Sequence, residues 1–353
     1  MAPDSELYKH QLGETNSMAF KGPMKTILFL MLALSLLSTN ASARTEPKKD
    51  LWQVFPAGHS HKWRAAPLSL VGVLSFAPAP DSSRLSPPVP RWSNRIQITI
   101  PNDPAVQRYV RFYKEEGRMT FVRSFERSWP YLPIMTEILN SHGVPGELIA
   151  VAMIESSFKP GASYRGAVGF WQFMAPTARY MGLRVDQWVD ERNDPIKSTD
   201  AAARYLKMLY EQFGSWPLAL AAYNAGEGTV SSALKSRNAE TFWEIGQQGV
   251  LPKITRHYVP KVLATASILR DLEKHGFERP ESFPVYDVVP VAVETPLRLD
   301  QVAQWVEMPL KDLKDLNPAL RLDRLPPDCG VDLHLPSDVR GKFEVAYARF
   351  VRE

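Results

Sequence analysis

A single cysteine, Cys329, occurs among 353 residues. An intrachain disulfide is therefore excluded, as is any thiolate-rich metal centre. The seven histidines are scattered, and the closest pair, His59 and His61, sits in a polar stretch that reads as solvated linker rather than as metal ligands. No metal and no other cofactor is expected. Dense Lys/Arg runs interleaved with aromatics are also missing, and 42 basic against 38 acidic side chains leave a net charge of only +4. Nucleic acid thus has no electrostatic footprint to bind, although a slightly basic chain still suits an acidic polymer.

Long hydrophobic runs are scarce too, with one exception near the N-terminus. From Met24, "MKTILFLMLALSLLSTNASA" supplies a lysine, an apolar run from Ile27 to Leu37 and the small residues Ala41-Ser42-Ala43. That order reads as a secretory signal peptide, with a run too short for a comfortable membrane span. Residues 1–43 are accordingly expected to be an N-terminal extension and signal peptide, and the protein to be periplasmic, in association with membrane or wall. Residues 44–91 alternate polar and proline-rich patches without a sustained period and read as a leader or linker.

What the chain does have is a set of well-punctuated short helices. Helices are predicted over 104–116, 131–140 and from Pro145 onward, then from Pro176 to Gly182, from Pro195 to Phe213 and from Pro217 to Gly226. Asp194 is the expected N-cap of the fifth, with Ala202, Leu206, Leu209 and Phe213 as its buried stripe. Strand signals are nearly absent from this region, so 92–275 is expected to be a compact, all-α domain. After Pro280 the pattern changes: "VYDVVPVAVE" alternates, two short amphipathic helices follow, and "VDLHLP" alternates again. Residues 276–353 therefore read as a small β-α-α-β domain with a tail helix from Arg340. The fold class expected is mainly α.

Within "AMIESSFKPGASYRGAVGFWQF", Leu148, Ala152 and Glu155 share one helical face. Glu155 stands at the end of that stripe and is the only carboxylate in the stretch; its nearest acidic neighbours along the chain are Glu147 and Asp186. Burial and the negative helix end both favour its protonated form. A carboxylic acid held protonated near neutral pH suits protonation of a leaving oxygen in glycosidic cleavage. An equally ordinary arrangement is a buried Glu paired with Arg165 or Arg179. Asp186, Asp190, Glu191 and Asp194 follow downstream, and their positions relative to Glu155 are open at this level. Trp171 reads as a core residue, while Gly166 and Gly169 allow tight turns.

Three strings in register, "ESSFKPGASYRGAVGFWQFMAPTARYMGL", "DERNDPIKSTDAAARYLKMLY" and "ALAAYNAGEGTV", resemble the lytic transglycosylases of glycoside hydrolase family 23. The resemblance implies a goose-type lysozyme-like fold for 92–275. It also implies that Glu155 is the catalytic acid in cleavage of the β-1,4 bond between N-acetylmuramic acid and N-acetylglucosamine. Ordinary glycosidases need two carboxylates; in this family the substrate's own C6 hydroxyl attacks C1 and leaves a 1,6-anhydromuramic acid end. By the same resemblance Ser163, Gln172, Met174, Tyr223, Asn224 and Tyr258 are candidate substrate contacts. One departure stands out: the family's Glu-Thr ahead of Tyr-Val is Ile254-Thr255 here.

The C-terminal string "LDQVAQWVEMPLKDLKDLNPALRLDRLPPDCGVDLHLP" resembles a degenerate LysM module, the class that binds N-acetylglucosamine chains, although the usual opening turn is missing. Sugar binding and a purely structural lid are both open. The implied partners are peptidoglycan strands and cell-wall synthesis or remodelling proteins, with the chain itself a monomer. A muramidase using water as nucleophile and a noncatalytic wall-binding protein are the competing expectations.

Overall fold

The computed structural model describes residues 97–278 and 286–353; the signal-peptide and leader assignments fall outside them. The elements run in the order α1 (Pro104–Lys114), α2 (Arg118–Ser128), α3 (Leu132–Ser141), α4 (Ala150–Ser156), β1 (Ser163–Tyr164), β2 (Ala167–Val168), β3 (Phe173–Met174), α5 (Ala175–Tyr180), α6 (Pro195–Phe213), α7 (Trp216–Ala225), α8 (Glu227–Arg237), α9 (Phe242–Gln247) and α10 (Lys253–Arg270). The C-terminal part continues with β4 (Val288–Val293), α11 (Leu299–Trp305), α12 (Leu310–Leu316), β5 (Val331–Pro336) and α13 (Arg340–Arg352). The mainly α class and the terminal β-α-α-β unit are as expected from sequence.

Local chemistry accounts for the helix boundaries. Asp103 accepts from the Ala105 amide at 2.7 Å ahead of Pro104, and Asp194 accepts from the Ile196 and Lys197 amides, both at 2.8 Å, ahead of Pro195. Each pairs an N-cap carboxylate with proline at the first helical position. At the other end of α6, Gly214 takes φ +63° and its amide bonds back to Tyr210, the left-handed stop that glycine permits. Ala202, Leu206 and Leu209 are fully buried, with Phe213 packed at the margin.

The core of the first part gathers around α7 and α10. Ala219, Ala221 and Ala222 are fully buried, and their small side chains let α6, α8 and α10 approach α7 closely. Helix α10 also packs on α1 and α4, and its last residue, Arg270, donates to Glu147 at 2.8 Å and to the Ile98 carbonyl. Glu147 is only 1% exposed, so this ion pair is what makes its burial tolerable.

Two features differ from the sequence expectation. Helix α2 was not foreseen, because its apolar residues Phe121 and Phe125 are spaced among seven charged or hydroxyl-bearing residues and no side-chain cap marks its start. Residues 163–174, expected to be loop, form a three-stranded antiparallel sheet in which Ser163 pairs with Val168 and Ala167 with Met174. Two-residue strands are shorter than any alternation a pattern can register.

The C-terminal part has its own core, in which Leu333 and Leu335 of β5, Val302 of α11, Leu313 of α12 and Phe343 of α13 are fully buried. Strands β4 and β5 pair antiparallel from Val288 opposite Pro336 to Val293 opposite Val331. Val189, from the segment before α6, is buried in this second core, so the two parts share a seam.

Candidate active site

Leu148 and Ala152 are fully buried, as the helical stripe requires, and Glu155 follows near the end of α4 with its side chain only partly accessible. Burial pushes the Glu155 carboxyl up from its ordinary 4.5 to about 7. The Tyr258 hydroxyl of α10 pulls weakly the other way, approaching the carboxyl without the geometry of a complete hydrogen bond. Withdrawal from water disfavours the charged form, and no cation is among the groups that shift it. Neither arginine named above pairs with Glu155. Arg179 donates to the Val185 carbonyl at 2.9 Å, and the Arg165 guanidinium lies 5.2 Å over the exposed Tyr164 ring.

The chain leaves α4 under strain. Ser157 and Phe158 take φ values of +53° and +54°, and Arg165 and Gln172 both take +50°. Four of the seven non-glycine residues with positive φ among the described residues thus fall between 157 and 172, flanking Glu155. Each such conformation costs roughly 1 kcal/mol or more, and all four persist because the surrounding packing fixes them. Phe158 is fully buried against Tyr131 and Phe170.

The remaining candidates distribute unevenly. The Gln172 amide donates to the carbonyls of Ala162 at 3.0 Å and Gly169 at 2.7 Å, which ties the two ends of the small sheet together and leaves its own oxygen free to accept. Ser163 is exposed at the head of β1, and Met174, 49% exposed, closes β3. Tyr223 lies beside Glu155, because the carboxylate is one of the charges that raise the tyrosine's pKa, after burial itself. Its hydroxyl donates to the Trp171 carbonyl at 2.8 Å, so in this state it secures the loop and does not reach toward a ligand. Tyr258, 5% exposed, is influenced by burial first and by Glu155 and Tyr223 after it. The structure therefore brings Glu155, Tyr223 and Tyr258 together, with Gln172 in the adjoining loop.

Asn224 is turned toward α10, where its oxygen accepts from the Thr255 hydroxyl at 2.8 Å. Ile254, which stands where an acid was expected, is 71% exposed. Trp171 is a core residue, fully buried with Nε1 donating to the Thr199 hydroxyl at 2.9 Å.

The four acids downstream all have structural partners. Asp186 pairs with Arg184, Asp190 with Arg192 and Arg321, and Glu191 with Lys197, while Asp194 caps α6. What the pattern "DERND" did not reveal is the role of its arginine. Arg192, 5% exposed, spends Nε and Nη2 on the two oxygens of Asp190, both at 2.8 Å, and Nη1 on the Gly166 and Phe173 carbonyls at 3.0 and 3.1 Å. One guanidinium thus clasps the first turn and the last strand of the sheet that carries Ser163 and Met174. The dense run of charge inside an otherwise apolar helical region was the only signal that could have flagged it.

Residues 134–245, which include Glu155, the small sheet and the α7 tyrosine, match the family model for the transglycosylase SLT domain. Residues 287–351 match the LysM-like domain of lytic transglycosylase MltD, in agreement with the resemblance of the C-terminal string. Membrane-bound lytic murein transglycosylase D of Escherichia coli is 29% identical over 251 residues, covering 68% of this chain and 54% of that protein. A tributyltin chloride resistance protein of an Alteromonas strain, itself described with reserve in its name, is 36% identical over 121 residues, 34% of this chain and 58% of that one. The chain spans about half the length of the curated relatives it matches. Among solved structures, the 70 kDa soluble lytic transglycosylase of Escherichia coli overlays with a TM-score of 0.38 at 19% identity, covering 52% of this chain and 38% of that one. Among the described residues, no helix is long and apolar enough to cross a membrane.

Proposed function

We propose that the SLT domain is a peptidoglycan lytic transglycosylase in which Glu155 serves in turn as acid and base. The observation that carries this reading is a lone carboxyl raised to about 7, with no second carboxylate among the groups that shift it. Protonated Glu155 donates its proton to the bridging oxygen as the bond from C1 of N-acetylmuramic acid breaks. The C6 hydroxyl of the same sugar then bonds to C1, and its proton passes to the Glu155 carboxylate. Atoms balance without water: one glycosidic bond is exchanged for the internal 1,6-anhydro bond, and Glu155 ends protonated. An intramolecular nucleophile has a high effective concentration, which removes the need for a protein base to activate water.

The SLT match and the similarity to a murein transglycosylase support the substrate class. In this reading Ser163, Gln172 and Met174 line the approach of the N-acetylated sugars, Tyr223 and Tyr258 set the environment of the acid, and Asn224 holds α7 to α10. Residues 92–275 form the catalytic domain and 276–353 the LysM-like domain and tail. The short apolar run before Ala43 and the membrane-bound relative support work in the cell envelope, on the periplasmic side.

Mass spectrometry of muropeptides after digestion of purified murein tests the reaction. Anhydromuramic ends are expected; reducing ends would make the protein a hydrolase. The pH profile gives a second reading. Only protonated Glu155 can start the reaction, so kcat/KM is expected to fall tenfold per pH unit above about 7, following the carboxyl's titration. A limb near pH 4.5 would show that the Glu155 carboxyl is hydrated and ordinary, which removes the observation this reading rests on.

A further inference from the structure

The C-terminal unit is seated against the segment that holds the small sheet. The Asp190 amide donates to the Ala319 carbonyl at 2.8 Å, and the Arg321 amide donates to the Trp188 carbonyl at 2.9 Å. Val189, between them, is 1% exposed in the core of the C-terminal unit. The Arg324 guanidinium lies 4.8 Å over the Trp188 ring, and Lys197 at the start of α6 bonds Glu191 at 2.7 Å and Asp332 of β5 at 3.1 Å. A tethered module that swings to find sugar needs none of these ties.

One of them continues to the site. Arg321 donates to Asp190 at 2.7 Å, and Asp190, 3% exposed, shares its two oxygens with Arg192. Arg192 reaches the Gly166 and Phe173 carbonyls through its remaining nitrogen. The path from the C-terminal unit to the sheet is thus Arg321, Asp190, Arg192, then the backbone on both sides of Gln172. Every link is a charge-assisted hydrogen bond in partly or fully buried surroundings, where such bonds are strongest.

We propose that the LysM-like unit is a fixed brace for the site rather than a mobile sugar-binding module, with Arg321 and Asp190 as positioning residues acting through Arg192. This rests on the reading of Glu155 given above. The sheet and the loop through Trp171 and Gln172 stand on the Tyr223 side of Glu155. If the brace is loosened, the loop breathes and water reaches the carboxyl. The groups facing Glu155 are Tyr258 from α10 and Tyr223 from α7; neither is charged near neutral pH, so hydration is what moves its titration.

Arg321 is partly exposed at the seam, and Arg321→Ala is expected to keep the fold. Its kcat should fall about tenfold with KM within about twofold, and the alkaline limb should move toward acid; Arg321→Lys should restore most of both. A higher KM with kcat and limb unchanged would mean the unit only gathers substrate, and overturns the brace. So would wild-type values throughout. A substrate-free arm separates this proposal from the reaction assigned above. The pH dependence of urea unfolding, compared between R321A and R321A/E155Q, reads Glu155 directly. Its titration midpoint is expected below that of the same comparison in the wild-type background. An identical midpoint overturns the brace whatever product the enzyme makes. Should R321A lower Tm too far to measure kinetics, Arg321→Met keeps the aliphatic stem packed and repeats both arms.

Discussion

Glu155→Gln is expected to abolish turnover by at least about 1000-fold while making the protein more stable at alkaline pH. The amide keeps the shape of the side chain but cannot give up a proton, so the leaving oxygen would depart unprotonated. The stability effect follows from where the carboxyl titrates. Its folded pKa of about 7 lies above the ordinary 4.5, so the favourable burial of the neutral form is complete below pH 4.5 and is lost as the pH rises through 7. Above that, the folded protein must hold a charge that the unfolded chain holds more easily. The shift corresponds to about 3 kcal/mol at most, and partial access to solvent brings the expected gain for glutamine to about 1–2 kcal/mol. Urea denaturation at pH 5 and pH 8 would show it: the E155Q advantage should be small at the lower pH and clear at the higher. Equal stability of the two proteins at pH 8 would mean the carboxyl is hydrated and ordinary.

Gly169→Ala is expected to damage the site more than any other single methyl group. Gly169 takes φ +84°, and a Cβ there would lie 1.8 Å from the Arg192 carbonyl oxygen and 2.6 Å from its carbon. Both obstacles are backbone, so nothing flexible can yield. The loop carrying Gln172 would have to leave the Arg192 segment, at a cost of about 3 kcal/mol or more when backbone strain is added to the clash. A displacement of the order of 1 Å at the reacting groups is worth about 100-fold in rate. Steady-state kinetics and thermal melts of G169A should therefore both move sharply. A variant with normal kinetics would show that the loop can be repositioned without consequence.

Sequence made much of this architecture legible because its punctuation is strong. Asp194-Pro195 and Gly214 bracket α6 where the cap and stop chemistry put them, and the stripe of Ala202, Leu206 and Leu209 is buried as its spacing requires. The same reasoning placed Glu155 on the face of Leu148 and Ala152 and anticipated the direction of its pKa. The small sheet escaped because its strands are two residues long and are clasped by a guanidinium distant in sequence. Connections of that kind join residues with no periodic relation, and a linear pattern has no term for them. The same applies to Tyr223, whose hydroxyl spans 52 positions to hold the Trp171 carbonyl. The seam between the two parts was hidden for a further reason: Val189 reads as an ordinary apolar residue, and nothing local says that its core belongs to the C-terminal unit.

The left-handed residues around Glu155 have a consequence for how the molecule fails on warming. Ser157, Phe158, Arg165 and Gln172 are held in conformations their own side chains resist, whereas α6, α7 and α10 are unstrained helices packed through buried faces. The loop between 157 and 172 therefore has a conformational cost to recover by coming undone, held in check by Phe158, Phe170 and Trp171 in the core. Catalysis should fade over a range of temperatures in which circular dichroism still reports intact helices, so that inactivation and melting are two separate events with the first confined to this loop.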